Sequence, residues 1–163
     1  MKKRLFAVIL AVLMLALAFS FTACKGGLSV DDVAGSYAIK TFNGETLKEF
    51  TEGIFKKQGL TDELAQQGVA MLCAQLGCTE EQFYNEGIMM ELNKDGSTEF
   101  SGYFIQVMEM MGQKSTFPDD LTWKISGSKV VFSKAGAKST ETEFKNGEFT
   151  FESGENKLVF NRK

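Results

Sequence analysis

From Ile88 to the last residue, apolar side chains recur at every second position in short runs, and polar, glycine-bearing turns separate the runs. Successive side chains on a strand point to opposite faces, so this period predicts strands with one buried face. Ile88, Met90 and Leu92 alternate before the turn Asn93-Lys94-Asp95-Gly96. Thr98 and Phe100 open a strand predicted to run through Tyr103 to Val107, and Pro118-Asp119-Asp120 marks a turn. The pairs and triplets Leu121/Trp123/Ile125, Val130/Phe132, Thr142/Phe144, Phe149/Phe151 and Leu158/Phe160 follow. They are split by Ser126-Gly127-Ser128, Ala135-Gly136-Ala137, Lys145-Asn146-Gly147 and Ser153-Gly154-Glu155-Asn156. Asn-Gly tolerates positive φ at both central turn positions and is a strong hairpin signal. Strands of about five residues at a spacing of about 8–12 fit a meander sheet or barrel.

The first half reads differently. Ala34 to Phe42 alternates as a first strand with Tyr37 and Ile39 on one face, and Asn43-Gly44 ends it. Leu47, Phe50 and Ile54 then recur at helical spacing, and Gly59 is a C′ residue that pairs Leu60 with Phe55 across the helix end. Thr61 caps a second helix with Asp62 and Glu63 in its first turn, and Leu64, Gly68, Leu72 and Leu76 lie one above another on it. Gly77 ends that helix and pairs Cys78 with Cys73, while Thr79 and Gln82 fit a capping box for a short third helix that Gly87 would end.

Ahead of the domain, Met1-Lys2-Lys3-Arg4 precedes an unbroken apolar run from Leu5 to Phe19. A basic start, a run of about 15 apolar residues and a small-residue exit describe a secretory signal peptide. A spanning helix needs ~20 apolar residues. Phe21-Thr22-Ala23-Cys24 resembles the lipobox of bacterial lipoproteins, with Phe21 where Leu is usual. The resemblance implies that 1–23 is cleaved, that the Cys24 thiol is lipidated, and that the mature chain stays on the outer face of the cytoplasmic membrane. Two or more acyl chains hold firmly where one binds marginally. Residues 24–32 then read as lipidated cysteine and leash, and 33–163 as the domain.

Without Lys2, Lys3 and Arg4, 15 of the 18 basic residues remain against 21 acidic ones, a net charge of −6. An acidic domain lacks the basic footprint of a nucleic-acid binder. There is no histidine, which removes the commonest general base and metal ligand and any Ser-His-Asp or Cys-His pair.

Gly35-Ser36-Tyr37, the hairpin from Met90 to Phe100 and the series from Leu121 to Phe160 together resemble the lipocalin-like domains of bacterial lipoproteins. The likeness covers most of 33–163, with 46–86 as a helical insertion after the first strand. Lipocalins proper carry Gly-x-Trp where this chain has Tyr37. The resemblance implies a mainly β (α+β) fold built on an antiparallel up-and-down barrel or half barrel.

Phe100, Trp123, Phe132, Phe144, Phe149, Phe151 and Phe160 fall on the apolar faces of their strands. They either fill the interior or line a cavity for one small ligand. Cys73 and Cys78 are left as a pair once Cys24 is lipidated, either a disulfide or a reduced apolar pair. Zinc would need two further ligands, and the spacing is not that of a thiol oxidoreductase. Met89, Met90, Met108, Met110 and Met111 could ligate Cu(I), or fill gaps in a core. Asp31-Asp32 and Asp119-Asp120 read as leash and turn, since neighbours on a strand diverge. Asn93 to Gly96 lacks the ligand spacing of a calcium loop.

No cofactor or metal is expected. The expected function is a non-enzymatic binding or interaction module at the envelope, carrying a small hydrophobic ligand or, alternatively, acting on an envelope protein as a scaffold or inhibitor. Cys24→Ala is expected to release the protein from the membrane fraction or leave it unprocessed. Unchanged processing and attachment would refute the lipid anchor.

Overall fold

The computed structural model describes residues 27–113 and 117–163; the apolar leader, Cys24 and the first leash residues lie outside the described residues. Among the described residues eight strands form: β1 (Gly35–Phe42), β2 (Met89–Leu92), β3 (Thr98–Ser101), β4 (Thr122–Ser126), β5 (Lys129–Ser133), β6 (Thr140–Glu143), β7 (Glu148–Ser153) and β8 (Asn156–Arg162). They make two antiparallel sheets, one of five strands in the order β3-β2-β1-β8-β7 and one of three in the order β4-β5-β6. The described helices are α1 (Val30–Val33), α2 (Leu47–Lys57), α3 (Asp62–Leu76), α4 (Glu80–Asn85) and α5 (Tyr103–Met110). The fold is mixed α+β, with α2, α3 and α4 between β1 and β2.

Among the described residues the sheets do not close into a barrel. They meet at two seams through individual contacts. At one, Ser97 bridges Thr122 and the Trp123 N–H donates to the Gly96 carbonyl at 2.7 Å. At the other, the Thr150 N–H donates to Thr142 Oγ1 at 3.2 Å. The cause lies in short strands. β3 stops at Ser101, and β6 parts from β7 just beyond the Lys145–Glu148 pair. That pair flanks Asn146 (φ 54°) and Gly147 (φ 77°), a two-residue turn with positive φ at both positions as Asn-Gly predicts.

The extension of β3 through Tyr103 to Val107 does not occur, because this stretch is helix α5. Gly102 makes the switch at φ 124°, packed so tightly that a Cβ there would lie 2.4 Å from the Gly87 carbonyl oxygen. The Tyr103 and Phe104 N–H groups donate to Glu86 O at 3.2 Å and Gly87 O at 2.9 Å, giving orphan donors of the new helix their partners. Gly87 is therefore not the left-handed C′ residue read from the sequence. Its φ is not positive, and a Cβ on it would sit 2.2 Å from Leu47 Cδ2. The other helix ends follow expectation, with Leu60 N–H donating to Phe55 O at 3.1 Å and Cys78 N–H to Cys73 O at 3.0 Å, after Gly59 and Gly77 at positive φ.

Capping boxes close the starts of α2 (Thr46 with Glu49) and α4 (Thr79 with Gln82). A third, Ser29 with Asp32, opens α1, so the end of the stretch read as leash is folded from Ser29, and α1 buries Val33 at the start of the domain. Two apolar clusters result. The larger lies between the sheets; the smaller gathers Val69, Cys73, Phe83 and Val107 beneath the helices.

Gly102→Ala is expected to destabilise the fold by at least ~2 kcal/mol, since both φ and space forbid a Cβ. Gly53→Ala, in the interior of α2 with nothing within 4 Å of the added carbon, should stabilise by ~0.5–1 kcal/mol. Urea titration of both variants is the check, and a stable Gly102→Ala would contradict the close approach.

Candidate functional site

The seven aromatic residues singled out from the sequence do come together. Phe132 of the smaller sheet lies 5.4 Å from both Phe149 and Phe151 of the larger one, centroid to centroid. Phe149 stacks on Phe160 at 5.6 Å and meets Tyr37 edge-on at 4.9 Å, and Phe144 reaches Tyr37 at 6.3 Å. Phe100 lies against Phe117 at 4.5 Å and Phe151 at 6.0 Å. Trp123 is buried, and its indole N–H donates to the Asn93 carbonyl at 2.9 Å. These rings pack on one another, which is how side chains fill a space between sheets. Tyr37 is wholly buried; its hydroxyl donates to the Val33 carbonyl, and burial pushes its pKa up.

Cys73 and Cys78 are free thiols in this structure. They lie at the end of α3, where the Cys78 N–H donates to the Cys73 carbonyl at 3.0 Å. Cys73 is buried, and desolvation, with Cys78 beside it, pushes its pKa up to about 11. Cys78 is more exposed.

The clearest cavity lies elsewhere. An apolar cleft of about 630 Å³ opens between α2, α3 and α5. Phe55 and Ile54 of α2, Leu72 of α3 and Phe104 of α5 form its walls. Met71, Met110 and Met111 also line it, at 66%, 57% and 62% exposure. Among the described residues no charged side chain lines it; the polar groups are those of Thr51, Gln58 and Gln75. The geometry follows from α3, which is apolar on two sides. Ala65, Val69 and Cys73 are its buried residues. The Leu64-Gly68-Leu72 stripe turns outward, with Leu64 51% exposed and Gly68 and Leu72 in the cleft. Gly68 leaves room for the Phe55 ring, which would lie 3.6 Å from a Cβ there. At its base, Phe83 neighbours Tyr84, whose hydroxyl is pushed up to about 12 by desolvation, with Glu52 and Glu80 adding to it.

This cleft is hidden in the sequence because the run Tyr103 to Val107 reads as strand there. The available signal was Phe104, Val107, Met108 and Met111, at i, i+3, i+4 and i+7. The methionines once grouped for copper separate: Met90 is in the core between the sheets, whereas Met110 and Met111 line the cleft. Asp31 pairs with Lys94 at 2.7 Å, Asp32 caps α1, and Asp120 lies 3.8 Å from Lys134. Among the described residues, no group of three or more Cys, Asp or Glu could hold a metal ion, and no helix is long and apolar enough to cross a membrane. No family model matches the chain, and neither curated proteins nor solved structures show significant similarity to it.

In the reduced protein, alkylation at pH 8 is expected to modify Cys78 well before Cys73, because a thiol with a pKa near 11 carries little thiolate there. Equal rates at the two sites would contradict the burial of Cys73.

Proposed function

We propose that this chain is a lipid-anchored, extracytoplasmic binding module whose helical cleft takes a small, uncharged hydrophobic molecule. The observation that carries the reading is the cleft between α2, α3 and α5, of ligand-pocket size and without a charged lining side chain among the described residues. Three methionines more than half exposed on one surface are costly to leave in water and adapt readily to an apolar guest. The anchor rests on the basic start, the apolar run and the Phe21-Thr22-Ala23-Cys24 exit. The protein is read as non-enzymatic because a chain without histidine offers only carboxylates, hydroxyls, thiols and amines for chemistry.

The two sheets are read as an opened lipocalin-like cylinder. The chain order β1 to β8 runs around it, and the contacts Ser97–Thr122 and Thr150–Thr142 support neighbours at the two open seams. Its interior is taken up by rings, so the ligand goes to the helical insertion and not to the place a lipocalin would use. A second reading, an envelope scaffold or inhibitor, is favoured by Leu60 and Leu64, exposed at 36% and 51%, which extend the apolar surface beyond the cleft. An amphipathic helix of a partner protein would cover such a surface.

Native mass spectrometry of residues 25–163, which contain both apolar clusters, is the test. An added mass that leaves on denaturation, and that Met71→Glu with Met110→Glu abolishes, is the expected result. A clean apo mass after incubation with long-chain alcohols would refute the small-ligand reading and leave the protein partner.

A further inference from the structure

A second concave region carries basic side chains beside apolar ones such as Ile39, Leu47 and Tyr84. It has a volume of about 600 Å³ and lies where β1, the start of α2, the end of α4 and the end of β8 meet. Lys40, Lys48, Arg162 and Lys163 line it together with the amides of Asn85 and Asn161, and no Asp or Glu does. After Arg4 the chain has a net charge of −6, with 21 acidic residues, yet here four cations gather in the lining of one cleft.

The backbone places one of these cations. The β1–β8 register passes from Ile39 opposite Phe160 to Thr41 opposite Val159, so Lys40 is an extra residue without a partner in the ladder. Bulges of this kind re-aim side chains. Arg162 is held by a hydrogen bond from Nη2 to the Ala34 carbonyl at 2.5 Å and lies over the Tyr37 ring at 5.7 Å. A guanidinium has five N–H donors, so that bond leaves others for a ligand. Lys40 pairs with Glu148 at 2.5 Å, Lys48 with Glu52 at 3.8 Å, and Lys163 with Glu86. The lysines of these pairs are exposed while Glu52 and Glu86 are half-buried, and surface pairs hold little free energy. Their carboxylates lie outside the lining of the cleft.

We propose that this cleft binds a phosphomonoester or diphosphate anion. A carboxylate brings one charge and two oxygens, whereas a phosphomonoester brings nearly two charges and three acceptor oxygens. Four cations and two amides match the second. The ligand is either a soluble phosphate compound or the phosphate headgroup of a lipid. The site is separate from the apolar cleft and stands whether or not that cleft takes a ligand.

The test is calorimetric titration of the full chain, in neutral detergent at low ionic strength, with sodium pyrophosphate. One saturable site is expected, weakened at least about tenfold by Lys40→Gln with Lys48→Gln. The pair Lys145→Gln with Lys157→Gln removes the same charge outside the cleft and should leave binding unchanged. No saturable heat, or equal weakening by both pairs, would overturn the proposal. Should the variants fold poorly, the wild-type protein decides: the Asn85 and Asn161 side-chain amide signals should move during the titration, and stationary signals would refute the site. Competition with dihexanoyl phosphatidic acid then separates the sources. Tighter binding than pyrophosphate assigns a lipid headgroup and weaker binding a soluble phosphate, and either ranking upholds the site.

Discussion

The two sheets are held together chiefly by rings. Phe132 from the three-stranded sheet inserts between Phe149 and Phe151 of the five-stranded one, and Phe160 and Tyr37 close around Phe149. The seams add only isolated bonds, such as Trp123 N–H to Gly96 O and Thr150 N–H to Thr142 Oγ1. Each aromatic side chain buries ~150–250 Å², and removing one from a core costs ~3–5 kcal/mol. Against a total stability of ~5–15 kcal/mol for a domain, this interlock decides whether the sheets stay together. Space occupied by these rings is not available to a ligand.

Apolar surface therefore remains where the helices run out of partners. α3 buries Ala65, Val69 and Cys73 and turns a second apolar stripe to the cleft, where Phe55 from α2 and Phe104 from α5 flank it. The position of α5 depends on Gly102 packing directly on the Gly87 backbone, so the cleft is set by two glycines outside it. The cationic cleft has a similar origin: a bulge at Lys40 and a guanidinium fixed by Ala34 and Tyr37 arise from how β1 pairs with β8.

Much of this was legible in the sequence for local reasons. Thr61, Thr79, Gly59 and Gly77 announce helix ends because capping is a matter of three or four neighbouring residues. Asn146-Gly147 announces its turn in the same way, and alternation picks out the aromatic residues that meet between the sheets. What was hidden depended on distant contacts. Gly87 looks like a helix end, yet Leu47 and Gly102, remote in sequence, explain it. Tyr103 to Val107 is a short apolar run, which periodicity alone assigns to strand or helix with equal ease. Misreading that run hid the cleft. The cationic site was hidden because its residues come from four separate stretches of chain, and net charge says nothing of where charges gather.

On the proposed reading, the space between the sheets is solid and apolar molecules enter the helical layer. The most direct measurement is methyl NMR of protein labelled at methionine and titrated with 1-octanol. Met71, Met110 and Met111 line the cleft, whereas Met90 is wholly buried in the core between the sheets. Saturable shifts are expected at the first three and none at Met90. A shift at Met90, with the three cleft methyls unmoved, would place the ligand between the sheets and contradict that reading.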